Sequence, residues 1–192
     1  RHWICLPLVV GINDCKDVTI EALFERLWTS NGVHVEKNSD NEAISKIFWD
    51  RGTLYALRGT FLSGATETSL EKLQEFTQQR LLGDRVPYVV EAYPEGNMAH
   101  LSAESGLYCR VFIEGMFGIK PTGLDSFTIL PRLPKDWDQM ALRSMKAFGK
   151  DLDIEVKREG EKIVLRVRDN GSKRWLLRRT LKPNEPVKLQ FR

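Results

Sequence analysis

The stretch "LSAESGLYCRVFIEGMFGIKPTGLDSF" (Leu101–Phe127) contains the point at which the periodicity of the chain changes. Its first part reads as a helix. Ser102 is a favoured N-cap residue, Leu107, Val111, Phe112 and Met116 fall on most sides of the turn, and Gly118 ends the run. A helix apolar on most sides is an enclosed one. From Pro121 the turn formers crowd in, and "PTGLDSFTILPRLPKDW" reads as a connector. Beyond it the apolar residues alternate with charges. The class predicted from this change is α+β: a helical part over 1–120, a connector over 121–138 and an antiparallel β module over 139–192.

The flanking segments agree with that division. In "TSLEKLQEFTQQRLLG", Thr68 and Glu71 stand at capping-box spacing, Leu70, Leu73, Phe76 and Leu81 fall near one face, and Gly83 takes the C′ position. "DRGTLYALRGTFLSG" places Leu54, Leu57, Phe61 and Leu62 on one face and stops at Gly64. "VTIEALFERLW" and "ICLPLVVGI" read as further helices. On the other side, Leu152, Ile154 and Val156 alternate with charged residues, as do Val187, Leu189 and Phe191. That period of two marks half-buried strands, with "REGEK" and "RDNGSK" as hairpin turns. The tryptophans Trp3, Trp28, Trp137 and Trp175 are expected to pack in the core or between modules.

Composition narrows the function classes. No apolar run approaches the roughly 20 residues of a membrane span, and no secretory leader pattern is present. The chain opens on Arg1, so the expectation is an excised piece of something longer. Cys5, Cys15 and Cys109 lack metal-ligand spacing, and His2, His34 and His100 form no paired motif. Neither a metal nor another cofactor is expected. The 192 residues carry a net charge of +3, unevenly spread, with 14 basic against 19 acidic residues up to Leu142 and 15 against 7 after it. The basic excess occupies the polar positions of alternating strands, where solubility alone would put it, and no stacking platform accompanies it. Nucleic acid is therefore not an expected partner.

Candidate chemistry gathers in two places. "VPYVVEAYPEG" (Val86–Gly96) ends a buriable run in Glu91, and a carboxylate beside apolar neighbours is costly unless it is paired or hydrogen-bonded. Tyr88 and Tyr93 offer hydrogen bonds and an apolar wall, while Glu95 is the rival carboxylate. His100 precedes the next helix as a candidate donor. Glu104 falls in that helix's first turn, where the helix dipole favours it even without a ligand. "FWDRG" (Phe48–Gly52) sets the flat face of Trp49 beside the acceptor Asp50 and the donor Arg51, a combination suited to a sugar. The same residues also read as an Asp50 N-cap, a Trp49 packed as a staple and an Arg51 ion pair.

Paired helices, "LPLVVGI" near the start, "VPYVVEAYPEG", and "HLSAESGLYCRVFIEGMFGIKPTGLDSFTILPRLPKDW" leading into strands together resemble the end of a six-hairpin glycosidase. The likeness is to the α-L-rhamnosidases and the α-L-fucosidases and disaccharide phosphorylases of the same barrel type. It implies helical hairpins from the end of an (α/α)6 barrel followed by a C-terminal β-sandwich-like domain. Glu91 occupies the place of the family's acidic residue, with Val90 where the family has tryptophan and "SAES" where it has Asn-His. The resemblance implies an inverting exo-glycosidase in which Glu91 activates water as general base. It further implies Trp49, Asp50, Arg51, Tyr93, Glu95, His100 and Glu104 as sugar contacts, with the general acid in an earlier hairpin. In such enzymes acid and base stand about 6.5–9.5 Å apart. The implied partners are a glycan substrate and the rest of the barrel, with phosphorolysis as a variant of the reaction. A periplasmic or secreted site follows by analogy. The alternative is a non-catalytic carbohydrate-binding or assembly module.

Overall fold

In the computed structural model, which describes residues 1–82, 91–94 and 102–191, the chain is α+β and divides into Arg1–Met116 and Phe117–Arg192. The first unit opens with a 3₁₀ turn, His2–Cys5, continued by α1 (Leu6–Val10). Next come α2 (Lys16–Ala22), which widens into a π turn at Leu23–Leu27, and a two-residue hairpin, β1 (Trp28–Thr29) with β2 (Gly32–Val33). Then follow α3 (Glu42–Ser45), β3 (Phe48–Trp49), α4 (Asp50–Leu62), α5 (Thr66–Arg80), β4 (Ala92–Tyr93) and α6 (Ser102–Arg110). A second π turn at Val111–Met116 prolongs α6.

Helix α4 is central, with α1, α5, α6 and the second π turn all packed on it. Leu54, Ala56, Leu57 and Phe61 are fully enclosed, as the periodicity of this segment predicts. Its contact with α1 is close enough to need a glycine: a Cβ at Gly59 would stand 3.0 Å from Leu8 Cβ and 3.1 Å from Val9 N. Polar ties add to the apolar packing. Arg58 donates to Glu114 across 2.8 Å, and the hydroxyls of Thr77 on α5 and Tyr108 on α6 share a hydrogen bond at 2.9 Å.

Helix α5 differs from expectation at its start. It begins at Thr66, so Thr68 and Glu71 lie inside it and do not form a capping box. The turn after α4 supplies the start instead, because the Ala65 carbonyl accepts both the Ser69 N–H, at 3.0 Å, and the Ser69 hydroxyl. The buried stripe is accordingly Ser69, Leu73, Phe76 and Arg80, with a hydroxyl at its start and a charged residue at its end. The helix closes at Arg80, and the expected Gly83 stop lies outside the described residues.

The second unit holds two antiparallel sheets. One runs β11 (Val187–Gln190), β6 (Ser126–Ile129), β5 (Lys120–Gly123); the other runs β10 (Arg174–Thr180), β9 (Lys162–Asp169), β8 (Lys150–Glu159), β7 (Gln139–Ala147). Residues 121–138, expected as a connector, thus supply strand residues of their own, with Phe127 and Ile129 buried. Pro and Gly density hid a four-residue strand whose partner, β11, comes from the far end of the chain. Leu152, Ile154, Val156, Val187, Leu189 and Phe191 are all buried, as their alternation predicts. The two sheets share a cluster in which Phe127, Phe148 and Phe191 lie within 5.4–5.9 Å of one another, centroid to centroid. Of the tryptophans, Trp28 is buried and donates to Glu75, whereas Trp3 and Trp175 are well exposed, contrary to the packing role expected of them.

Gly118 and Gly160 both have a left-handed backbone, at φ +59° and +64°. A Cβ at Gly118 would meet the Leu130 carbonyl oxygen at 2.3 Å, while at Gly160, in the β8–β9 hairpin turn, it meets open space. Gly118→Ala is therefore expected to destabilise the protein by at least about 2 kcal/mol, against about 1 kcal/mol for Gly160→Ala. Urea unfolding of the two variants checks this; equal losses would show that the close approach at Leu130 does not matter.

Candidate functional site

The start of α4 brings the two candidate segments together. Strand β3 pairs antiparallel with β4, so that Phe48 faces Tyr93 and Trp49 faces Ala92. The Asp50 N–H donates to the Glu91 carbonyl at 3.0 Å, which carries the register one residue further. "FWDR" and "EAY" thus lie side by side although 40-odd residues apart in sequence. This short ribbon had no signal in either segment read alone.

Arg51 is the link between carboxylates. Its Nε donates to Glu104 Oε1 at 2.6 Å, and an Nη stands 3.5 Å from Glu91 Oε1. The guanidinium also lies over the Trp49 ring at 5.4 Å. The hydrogen bond to Glu104, reinforced by the charges of Glu104 and Glu91, raises the Arg51 pKa further above its already high ordinary value, with burial opposing. Glu104 is fully buried, with its Oε2 unpartnered among the described residues, whereas the Glu91 side chain is 40% exposed. One arginine therefore holds a sealed carboxylate and an accessible one.

A second arginine repeats the arrangement deeper in the unit. Arg80 Nε donates to the buried Asp50 Oδ1 at 3.1 Å, and an Nη donates to the Asn31 carbonyl. Its guanidinium lies 4.3 Å from the Tyr93 ring centroid. Nothing in the sequence pairs Arg80 with Asp50; the only hint is an arginine where the α5 stripe calls for an apolar residue.

Several expectations need correcting. Asp50 and Glu104, expected to meet sugar hydroxyls, are fully buried and engaged by Arg80 and Arg51. Of the packing readings, the Arg51 ion pair is present, and Asp50 begins α4 but Trp49 holds the cap position. Trp49, Arg51, Glu91 and Tyr93 are brought together with partial exposure. Glu95, His100 and Tyr88 lie outside the described residues. Among the described residues no cluster of His, Cys, Asp and Glu is able to hold a metal, and no helix is long and apolar enough to cross a membrane.

His2 was not anticipated as part of this neighbourhood. It is buried, its Nδ1–H donates to the Val35 carbonyl at 2.9 Å, and its ring meets Trp49 edge-on at 4.4 Å. Trp3 also meets Trp49 edge-on, at 5.2 Å. No protein-family model, curated protein or solved structure matches the chain.

Burial, helped by the nearby Arg1 charge and only partly opposed by the Val35 hydrogen bond, holds the His2 pKa below the ordinary 6.5. As pH falls through 6.5, the unfolded chain takes up a proton that the folded ring refuses, so the unfolded state gains. The stabilisation is full above that value and declines on acidification, with a slope bounded by one proton, about 1.4 kcal/mol per pH unit. Denaturant titrations from pH 7.5 to 5 should show a steeper loss for the wild type than for His2→Asn. Parallel curves would mean that the ring is not held neutral.

Proposed function

We propose that this chain is the C-terminal part of an inverting exo-glycosidase, comprising the last hairpins of an (α/α)6 barrel and its β-sandwich, with Glu91 as general base. The observation that carries the reading is the accessible Glu91 carboxylate set beside Arg51, which is itself anchored on the buried Glu104. A base of this kind must be ionised, held in one orientation and reachable by water and substrate. The Asp50 hydrogen bond fixes the Glu91 backbone, and the Arg51 guanidinium stands 3.5 Å from the Glu91 carboxylate.

The element order supports the same reading. Helices α4 and α5 are packed together and joined by Ser63, Gly64 and Ala65 alone, and a β module follows the helical unit. Val10, Ile12, Val18 and Leu82 are large apolar residues left exposed on the helical unit. Under this reading they meet the remaining hairpins of the barrel.

In the reaction so assigned, Glu91 removes a proton from water as its oxygen attacks the anomeric carbon. The glycosidic C–O bond breaks on the opposite face, and an acid on another hairpin protonates the departing oxygen. The substrate class is a glycan ending in a neutral or 6-deoxy sugar. Trp49 and Tyr93 provide apolar walls, and Arg51 provides donors.

Glu91→Gln in the intact parent protein keeps the shape and removes the base. With aryl glycosides of neutral and 6-deoxy sugars as substrates, kcat/KM is expected to fall by about 10²–10⁴-fold with an unchanged melting temperature. Near-wild-type turnover by the variant would remove Glu91 from the chemistry. Sugar binding with no hydrolysis by the wild type would favour a non-catalytic binding module.

A further inference from the structure

Trp3 stands out among the large apolar residues of the helical unit because it is exposed yet rigidly built in. The 3₁₀ turn that carries it is pinned at both ends, since His2 and Cys5, three residues apart and so on the same face, are both buried. The His2 N–H and ring Nδ1–H both donate to the Val35 carbonyl, fixing the turn against the chain ahead of β3. Trp3, between them in the turn, is 46% exposed. Its indole is buttressed by the His2 ring at 4.1 Å and by the Trp49 ring, in a T-shaped contact, at 5.2 Å.

Those contacts tie Trp3 to the candidate site in a short series. Trp3 touches Trp49, the Arg51 guanidinium lies over Trp49, and Arg51 pairs with Glu91. The half-exposed indole therefore stands one neighbouring ring away from charged donors and acceptors. The area of a single indole suits one pyranose ring, which presents C–H groups on a face and hydroxyls around its rim. Side-chain order already imposed by His2 and Trp49 lowers the cost of using the face for binding.

We infer that Trp3 is a stacking platform for a second sugar ring, next to the one served by Glu91, and that the substrate is accordingly an oligosaccharide and not a monosaccharide conjugate. This rests on the glycosidase reading above and extends it to the part of the substrate beyond the reacting bond. The face binds by C–H contact and shape, leaving the hydroxyls to Arg51 and its neighbours.

The test uses the intact parent protein and disaccharides of neutral and 6-deoxy sugars, with their methyl monoglycosides for comparison, in calorimetric titrations. Trp3→Ala is expected to weaken disaccharide binding about ten-fold and monoglycoside binding little, with Trp3→Phe in between. Trp175→Ala, which removes an exposed tryptophan in the other unit, is expected to change neither. Oxidation of Trp3 by N-bromosuccinimide, read by peptide mass spectrometry, should be slowed by the disaccharide. Undiminished disaccharide binding by Trp3→Ala overturns the platform while leaving the Glu91 assignment standing. Loss of binding in Trp3→Ala together with full turnover by Glu91→Gln has the opposite meaning: the platform stands and the base assignment falls. A Trp3 that resists oxidation in the sugar-free parent also overturns the platform, because another segment then covers the indole.

Discussion

The ion pair between Arg51 and the buried Glu104 is the constraint on which the rest of the helical unit depends. A carboxylate sealed from water costs several kcal/mol unless a cation and further hydrogen-bond donors compensate. Here the compensation comes from one guanidinium and from the first turn of α6, where the helix dipole favours negative charge. Because the two partners lie on α4 and α6, satisfying the charge also sets how those helices meet. Asp50 and Arg80 repeat the arrangement between α4 and α5. Two buried carboxylates near helix starts, each held by an arginine, thus pin three helices at one end.

That end is also where the accessible chemistry lies. Arg51 has donors left after engaging Glu104, and they face Glu91. The β3–β4 pairing brings Glu91 to that position and sets Tyr93 over Arg80. The structural pairs therefore do not compete with the exposed carboxylate; they fix the arginine that orients it. A helical unit held by apolar packing alone would leave this corner free to shift.

Much of this architecture was legible in the sequence where local pattern and final packing agree. Leu54, Leu57 and Phe61 declare their helix, and Leu152, Ile154 and Val156 declare their strand, because in each case the burying partner matches the local period. Phe127 and Ile129 were hidden because their strand is short, sits among turn formers and pairs with residues about sixty positions away. Thr68 misled because a cap signal is worth little beside a turn already set by the preceding helix. Trp49, Arg51 and Glu91 declared themselves by residue type, and the β3–β4 pairing sets their two segments side by side. Arg80 and Trp3 did not, since an arginine within an apolar stripe and a tryptophan near a helix both look like ordinary packing. What the residues could not declare one by one was which charges would be paired, because that depends on elements far apart in the chain.

The central claim is that Arg51 and Glu104 stabilise the fold as a pair. A double-mutant cycle with Arg51→Met, Glu104→Gln and the combination, read by urea unfolding, measures it directly. Each single change is expected to destabilise the protein, and the double variant to lose less than the sum of the two by at least about 1 kcal/mol. Losses that add to within about 0.5 kcal/mol would contradict the account, showing that the two groups do not act on one another and that Glu91 has no anchored neighbour.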